Sequence, residues 1–160
     1  MVNTKVTLSG WTIENPVIPA SGTFGYGKEY SELYDINVLG SFSFKGTTLL
    51  PRSGNPQPRI ADGKVGIINS IGLENPGAEE VIARKIPEME EFFHKKVIAN
   101  VSGSSVEDYA KICEMFSAVE KVGIIEVNVT CPNVKDGGMA FGTKEENVYA
   151  IAKAVKEVCG

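Results

Sequence analysis

Several residue types that carry much of enzyme chemistry are scarce in this chain. Its 160 residues include three cysteines, one histidine and one tryptophan. With His94 as the single histidine, a histidine-rich metal centre is excluded, and no metal site is expected. Cys113, Cys131 and Cys159 lack the spacing of a disulfide framework or a zinc finger, so free thiols in a cytoplasmic protein are expected. No apolar run is long enough to cross a bilayer and the N-terminus carries no signal pattern, so no membrane partner is expected. Sixteen basic residues against twenty acidic ones leave a net charge of −4, which gives nucleic acid no reason to bind.

What is present is ordinary α/β composition, with one unusual stretch. Ile124, Ile125, Val127 and Val129 form an apolar, β-branched run that reads as buried strand, interrupted by the amide of Asn128. Cys131 and Pro132 follow. Proline restrains the backbone of the residue before it, so a thiol is held at a strand end between Asn128 and Asn133. Gly137-Gly138 then lets the following loop turn tightly or close over a ligand.

In chain order, Val6 and Leu8, Ser9-Gly10, then Trp11 and Ile13 predict a β-hairpin. Residues 16–20 predict a first buried strand, delivering the glycine-rich loop 21–27. A short helix is expected over 30–34 and a second strand over 38–44, ending at Lys45-Gly46. Residues 51–68 are a Pro/Gly-rich excursion with a turn expected at Asp62-Gly63. Asn75-Pro76 suits an N-cap and first helical residue, and Pro87 is expected to end that helix and open another. The third strand is 97–99, ending at Asn100. Ser104-x-x-Glu107 predicts a capped helix with Val106, Tyr109, Ile112, Cys113 and Phe116 inward. The fourth strand spans 123–129. Thr143-x-x-Glu146 predicts a last helix with Val148, Ile151, Ala152, Val155 and Val158 inward.

Strands alternating with amphipathic helices imply a parallel sheet. Ser21, Lys45, Asn100 and Asn128 all fall at the same end of successive strands, the end at which (β/α) barrels build their sites. A full barrel takes about 250 residues. The expected fold is therefore the N-terminal half of a (β/α)8 TIM barrel, about four βα units after a hairpin, forming a single partial domain over 1–160. A doubly wound sheet is the alternative.

Five segments resemble the dihydroorotate dehydrogenase family. They are Ala20-Ser-Gly-Thr-Phe-Gly25, Lys45-Gly-Thr-Thr48, Asn69-Ser-Ile-Gly-Leu-Glu-Asn-Pro-Gly77, Asn100-Val-Ser-Gly103 and Asn128-Val-Thr-Cys-Pro-Asn133, in the family's order across almost the whole chain. The continuation Val134-Lys-Asp-Gly-Gly-Met-Ala-Phe-Gly142 is similar to the NAD-linked, cysteine-base branch, class 1B. The departure is length: family members run to about twice this chain, which looks truncated and of uncertain activity alone.

The resemblance implies FMN-dependent oxidation of dihydroorotate to orotate in pyrimidine biosynthesis. It implies Cys131 as the base and Lys45 as a catalytic cation that also binds substrate and cofactor. Asn69, Ser70, Ile71, Gly72, Leu73, Asn128 and Asn133 would hold the substrate, and Ser21, Gly22, Gly46, Asn100 and Asn128 would help hold FMN. It further implies a partner subunit carrying FAD and an iron–sulfur cluster, and a homodimer or heterotetramer at full length. The glycines at 22, 25 and 27 do not fit the dinucleotide fingerprint. Cys113 sits on an apolar helical stripe and reads as core, and His94 as surface or packing. Two other readings remain: a related flavin-dependent pyrimidine reductase, and a non-catalytic half-barrel that associates with itself.

Overall fold

The computed structural model describes residues 2–130 and 139–159. The chain opens with a hairpin of β1 (Val6–Leu8) and β2 (Trp11–Ile13), paired antiparallel with Leu8 opposite Trp11. Ser9 (φ 47°) and Gly10 (φ 82°) form its two-residue turn, the left-handed pair that fits strand twist. A Cβ on Gly123 would meet the Trp11 indole at 3.0 Å, and the Lys95 ammonium binds the Glu14 carboxylate at 2.6 Å. The hairpin thus sits at the N-terminal end of the sheet.

Four extended segments then lie side by side. Residues 17–20 bond to 40–43 through Gly40 N–H to Val17 C=O and Ser43 N–H to Pro19 C=O, both 3.1 Å. Residues 41–47 pair parallel with β5 (Val97–Val101) at Ser43 and Thr47. β5 pairs parallel with β6 (Val122–Val127), the Asn100–Glu126 pair lying in register. The first two segments are less regular than their sequences predict. Residues 16–20 form no strand and Val17 is exposed, while 38 closes a 3-10 turn over Ile36–Val38. Each is held by only a few bonds to its neighbour.

Side chains alternate across this sheet. Phe42, Phe44, Val97, Ala99, Val101, Ile125 and Val127 belong to the core, packed with Ile112, Cys113 and Phe116 of α5 (Val106–Ser117). Ser43, Ile98, Asn100, Glu126 and Asn128 take the other face. This is half of a (β/α)8 arrangement, with helices on one side of a parallel sheet and polar groups on the other. Among the described residues β6 has one sheet neighbour, β5. Clefts of about 480 Å³ and 270 Å³ run beside it, lined by apolar residues including Ile125, Val127, Val129 and Val155.

The glycine-rich loop opens with a one-turn helix, α1 (Ser21–Phe24), and is followed by a second, α2 (Lys28–Ser31), in place of one helix over 30–34. The 51–68 region carries a hairpin of β3 (Ile60–Gly63) and β4 (Gly66–Asn69). Gly63 pairs with Gly66, so the turn falls at Lys64-Val65 rather than Asp62-Gly63.

The next helix begins with Gly77 as N-cap, not Asn75. Pro87 does not end it. α3 (Ala78–Glu80), a π-helical stretch (Val81–Lys85) and α4 (Ile86–Glu90) run on continuously. The wider π turn precedes the proline, where an α-helix would need its missing N–H. The α5 cap is Ser105, whose hydroxyl accepts from Asp108 N–H at 3.1 Å, one residue past the predicted Ser104. Ser104 instead donates through its hydroxyl to the Asp108 carboxylate at 2.6 Å.

α6 (Met139–Gly142) leads to α7 (Glu145–Cys159), which starts too late for Thr143 to cap it. Of its predicted inward residues only Ile151 is fully buried; Val148, Ala152 and Val158 are exposed and Val155 is half-buried. Val148, Ile151, Ala152 and Val155 line the smaller cleft beside β6. Among the described residues no helix is long and apolar enough to cross a membrane.

Candidate active site

The sequence places a polar residue just after each apolar run, and the sheet brings three of these ends together. Lys45 N–H bonds to Gly25 C=O at 2.8 Å, tying the second segment to the α1 turn that begins at Ser21. Thr47 N–H bonds to Asn100 C=O at 2.9 Å, and Asn128 N–H to Val101 C=O at 2.8 Å. Lys45 is half-buried and its ammonium has no ion-pair or hydrogen-bond partner among the described residues. A half-buried cation without a counter-ion suits an anionic ligand.

Gly46 is glycine because of its neighbours. A Cβ there would lie 2.8 Å from Asn100 Oδ1 and 3.0 Å from Leu73 Cδ1. Asn100 is buried. Its Nδ2 donates to Glu126 Oε2 at 2.8 Å, and its Oδ1 accepts from Asn128 Nδ2 at 3.2 Å. Glu126 Oε2 also accepts from the buried Ser43 hydroxyl at 2.6 Å. The Asn128 carbonyl oxygen takes the Tyr109 hydroxyl at 2.8 Å, and its side-chain oxygen takes Thr130 N–H at 3.1 Å.

The 69–73 segment is built by different restraints. Asn69 is exposed, paired with Ile60 at the end of β4. Ser70 N–H bonds to Arg59 C=O at 2.8 Å, and Asn55 Nδ2 donates to the Ser70 carbonyl and hydroxyl, both at 3.0 Å. Ile71 C=O accepts from Asn55 N–H at 2.9 Å. Gly72 (φ 79°) and Leu73 (φ 59°) are both left-handed, a conformation that costs leucine about 1–2 kcal/mol. Asn75 holds that bend, its Nδ2 donating to Leu73 C=O at 2.9 Å. Leu73 reaches the rim through its contact with the Gly46 position. No hydrogen bond joins Asn69, Ser70 or Ile71 to Asn100 or Asn128 among the described residues.

Gly22, in α1, has nothing within 4 Å of where a Cβ would stand. The chain's own packing therefore does not require glycine there, and the opening suits close approach by a ligand. Cys131 and Asn133 lie outside the described residues. The other two thiols are structural. Burial pushes the Cys113 thiol up to about 12, with Cys159 beside it adding to the effect, and burial raises Cys159 as well.

Sequence reading missed Ser43, Asn75 and Glu126. Glu126 carried a readable signal: it lies two residues before Asn128, so strand alternation puts both on one face.

The sequence matches the family model described as Dihydroorotate dehydrogenase over residues 3–159. The chain belongs to the dihydroorotate dehydrogenase family. It is 50% identical over 154 residues to the "Dihydroorotate dehydrogenase B (NAD(+)), catalytic subunit" of Bacillus pumilus, covering 96% of this chain and 49% of that protein. The protein of the same name in Bacillus cytotoxicus is also 50% identical, with 96% and 50% covered. This family member therefore spans about half the length of the curated relatives it matches. A crystal structure of DHODH from Eimeria tenella in complex with ferulenol superposes with a TM-score of 0.67 at 18% identity, covering 97% of this chain and 43% of that one. That likeness establishes the fold: the described β/α units are those of a dihydroorotate dehydrogenase barrel.

Proposed function

We propose that this chain is the N-terminal part of a class 1B dihydroorotate dehydrogenase catalytic subunit, which oxidises dihydroorotate to orotate with FMN. The rim of Lys45, Gly46, Asn100 and Asn128 carries this reading. It combines a cation unpaired among the described residues with amides fixed at parallel strand ends, and the relatives named as NAD(+)-type catalytic subunits support it. The donor set fits a flavin: a planar ring edged with carbonyls and nitrogens needs amide donors and acceptors, and its reduced form needs a nearby cation. Ser21, Gly22, Lys45, Gly46, Asn100 and Asn128 would hold FMN, which when bound supplies the hydride acceptor.

Asn69, Asn128 and Asn133 would hold the pyrimidine, with Ser70 and the backbone of Ile71, Gly72 and Leu73 along its edge. Lys45 would also steady the substrate carboxylate. Cys131 would take the ring proton: a thiol with an ordinary pKa of about 8.5 needs little adjustment to serve as a base near neutrality. A partner subunit carrying FAD and an iron–sulfur cluster would take the electrons on to NAD, in a cytoplasmic heterotetramer or on a homodimer.

The test is anaerobic absorbance of the full-length chain, purified with FMN. Flavin bands that bleach on adding dihydroorotate, and not dihydrouracil, are expected. Bleaching by dihydrouracil alone would indicate a pyrimidine reductase. Wild-type turnover in a full-length C131S variant would remove Cys131 as the base.

A second reading has its own observation. Among the described residues β6 is paired on one side only, and this edge with the apolar clefts beside it favours self-association of the 160-residue chain. Sedimentation showing a monomer at high concentration would refute it.

A further inference from the structure

We propose that Glu126 is a positioning residue that sets the direction of hydrogen bonding along the rim, so that Asn100 and Asn128 meet the flavin in one orientation. This rests on the flavin reading above. Glu126 Oε2 accepts from Ser43 Oγ at 2.6 Å and from Asn100 Nδ2 at 2.8 Å. An ionised carboxylate can only accept, so the Asn100 amide must turn its nitrogen toward Glu126 and its oxygen away. That oxygen accepts from Asn128 Nδ2 at 3.2 Å. At the far end, Thr130 N–H donates to Asn128 Oδ1 at 3.1 Å, with the Thr130 hydroxyl also 3.1 Å away. A backbone N–H can only donate.

The bonds therefore run one way, from Thr130 through Asn128 and Asn100 to Glu126. Each end is closed by a group that cannot reverse its role. Flipping either amide would set donor against donor or acceptor against acceptor at both of its contacts. Gly46 leaves the room that Asn100 Oδ1 occupies, since a Cβ would lie 2.8 Å from it. Each amide nitrogen spends one proton in this chain of bonds and keeps one for a ligand.

Glu126 has no cation partner among the described residues, and it interrupts an apolar strand. Glu126 is exposed on the polar face of the sheet, so no burial penalty attaches to its carboxylate; what sets it apart is that one of its oxygens takes both the Ser43 hydroxyl and the Asn100 amide. Its acceptor-only chemistry explains it: a glutamine side chain in its place would accept either amide orientation, and glutamate accepts one.

The test compares wild type, E126Q, N100D and the double variant N100D/E126Q in the full-length chain. FMN affinity is measured by fluorescence titration. Exchange of the Asn128 side-chain amide is measured by NMR on flavin-free protein with 15N-asparagine. E126Q is expected to weaken FMN about tenfold and speed Asn128 exchange about tenfold, the scale of one charge-assisted hydrogen bond. N100D sets two carboxylates together and should weaken FMN at least as much.

In the double variant the introduced glutamine amide donates to the introduced aspartate carboxylate, whose other oxygen accepts from Asn128 as the native Asn100 amide did. Asn128 exchange should return to within about threefold of wild type, a coupling that independent sites do not show, whereas FMN binding, which also loses the Asn100 proton kept for the ligand, should recover only part of the way from N100D. Unchanged Asn128 exchange in E126Q, or a double variant no better than N100D, would overturn the proposal. If the wild-type chain takes no FMN at all, the flavin reading fails, and the exchange rates alone decide the polarity.

Discussion

Asn75→Ala is the substitution that best tests how the 70–73 loop is held. Asn75 is 5% exposed and joins three parts of the chain. Its Oδ1 accepts from Thr48 N–H at 3.1 Å and Gly77 N–H at 2.9 Å. Its Nδ2 donates to Thr48 Oγ1 and to Leu73 C=O, both at 2.9 Å. The Thr48 hydroxyl also lies 3.2 Å from Asn75 Oδ1, but it has one proton, and Leu50 C=O at 2.7 Å is the better acceptor. Alanine thus strands two N–H groups and one C=O in the interior. Each costs about 1–3 kcal/mol if it stays dry, and water entering the space left by the amide brings the sum to about 3–5 kcal/mol. For a chain of this size that is a fall in Tm of about 6–20 °C. The loss also has a location. Leu73 holds a left-handed φ against its own preference, and the Asn75 bond is part of what opposes relaxation. Hydrogen exchange at residues 70–73 should therefore rise more than exchange in β5. Asn75→Asp separates the effects, because it keeps the two accepted bonds and puts an acceptor against Leu73 C=O. It should melt closer to wild type yet loosen the same loop. An Asn75→Ala protein melting within about 2 °C of wild type, with unchanged exchange at 70–73, would refute this account.

Gly46→Ala should cost about 1–3 kcal/mol by urea unfolding, because the new methyl meets Asn100 and Leu73 together; an unchanged midpoint would show slack in the rim. Lys45→Met should leave Tm within about 2 °C, since the ammonium has no partner among the described residues; in the full-length chain the proposed flavin reading expects it to weaken FMN or orotate binding about 10–100-fold by calorimetry. Cys113, raised to about 12 by burial, favours folding below the ordinary thiol pKa, and that contribution is lost as pH climbs from about 9 toward about 12. Cys113→Ala should flatten the alkaline fall in Tm, and in wild type Cys113 should react with a disulfide reagent only after unfolding.

The parts of the fold legible in the sequence are those where one local pattern decides. The α5 stripe is an example: Tyr109, Ile112, Cys113 and Phe116 recur at helical spacing and are buried. The misread parts are decided by distant partners. Asn75 before Pro76 is a plausible N-cap on local grounds. Its amide instead faces Thr48, 27 residues back, a neighbour that local spacing does not reveal. Pro87 reads as a break because an α-helix there needs its N–H. The chain avoids that need by widening to a π turn before it, with Val81, Ile86 and Met89 buried on the inner side. Residues 16–20 are apolar enough for a strand, but among the described residues they bond along one side only, to 40–43, and Val17 is exposed.

The same distinction separates the site residues. Lys45, Asn100 and Asn128 stood out because each is a polar residue at the end of an apolar run, and parallel strands put all such ends on one rim. Glu126 did not, because a lone carboxylate in a strand reads as a solvated residue until its neighbours are known. Those neighbours are Ser43 from one segment and Asn100 from another, 83 and 26 residues away. Parity could have narrowed the search. Ser43, Asn100, Glu126 and Asn128 all lie on the face opposite the helices, so a polar residue in phase with Asn128 belongs to the same layer. An amide can turn either way, and a residue that only accepts removes that freedom. In a site built from asparagines, the acceptor-only residue in phase with them is therefore the next one to seek, even when nothing in the local sequence marks it.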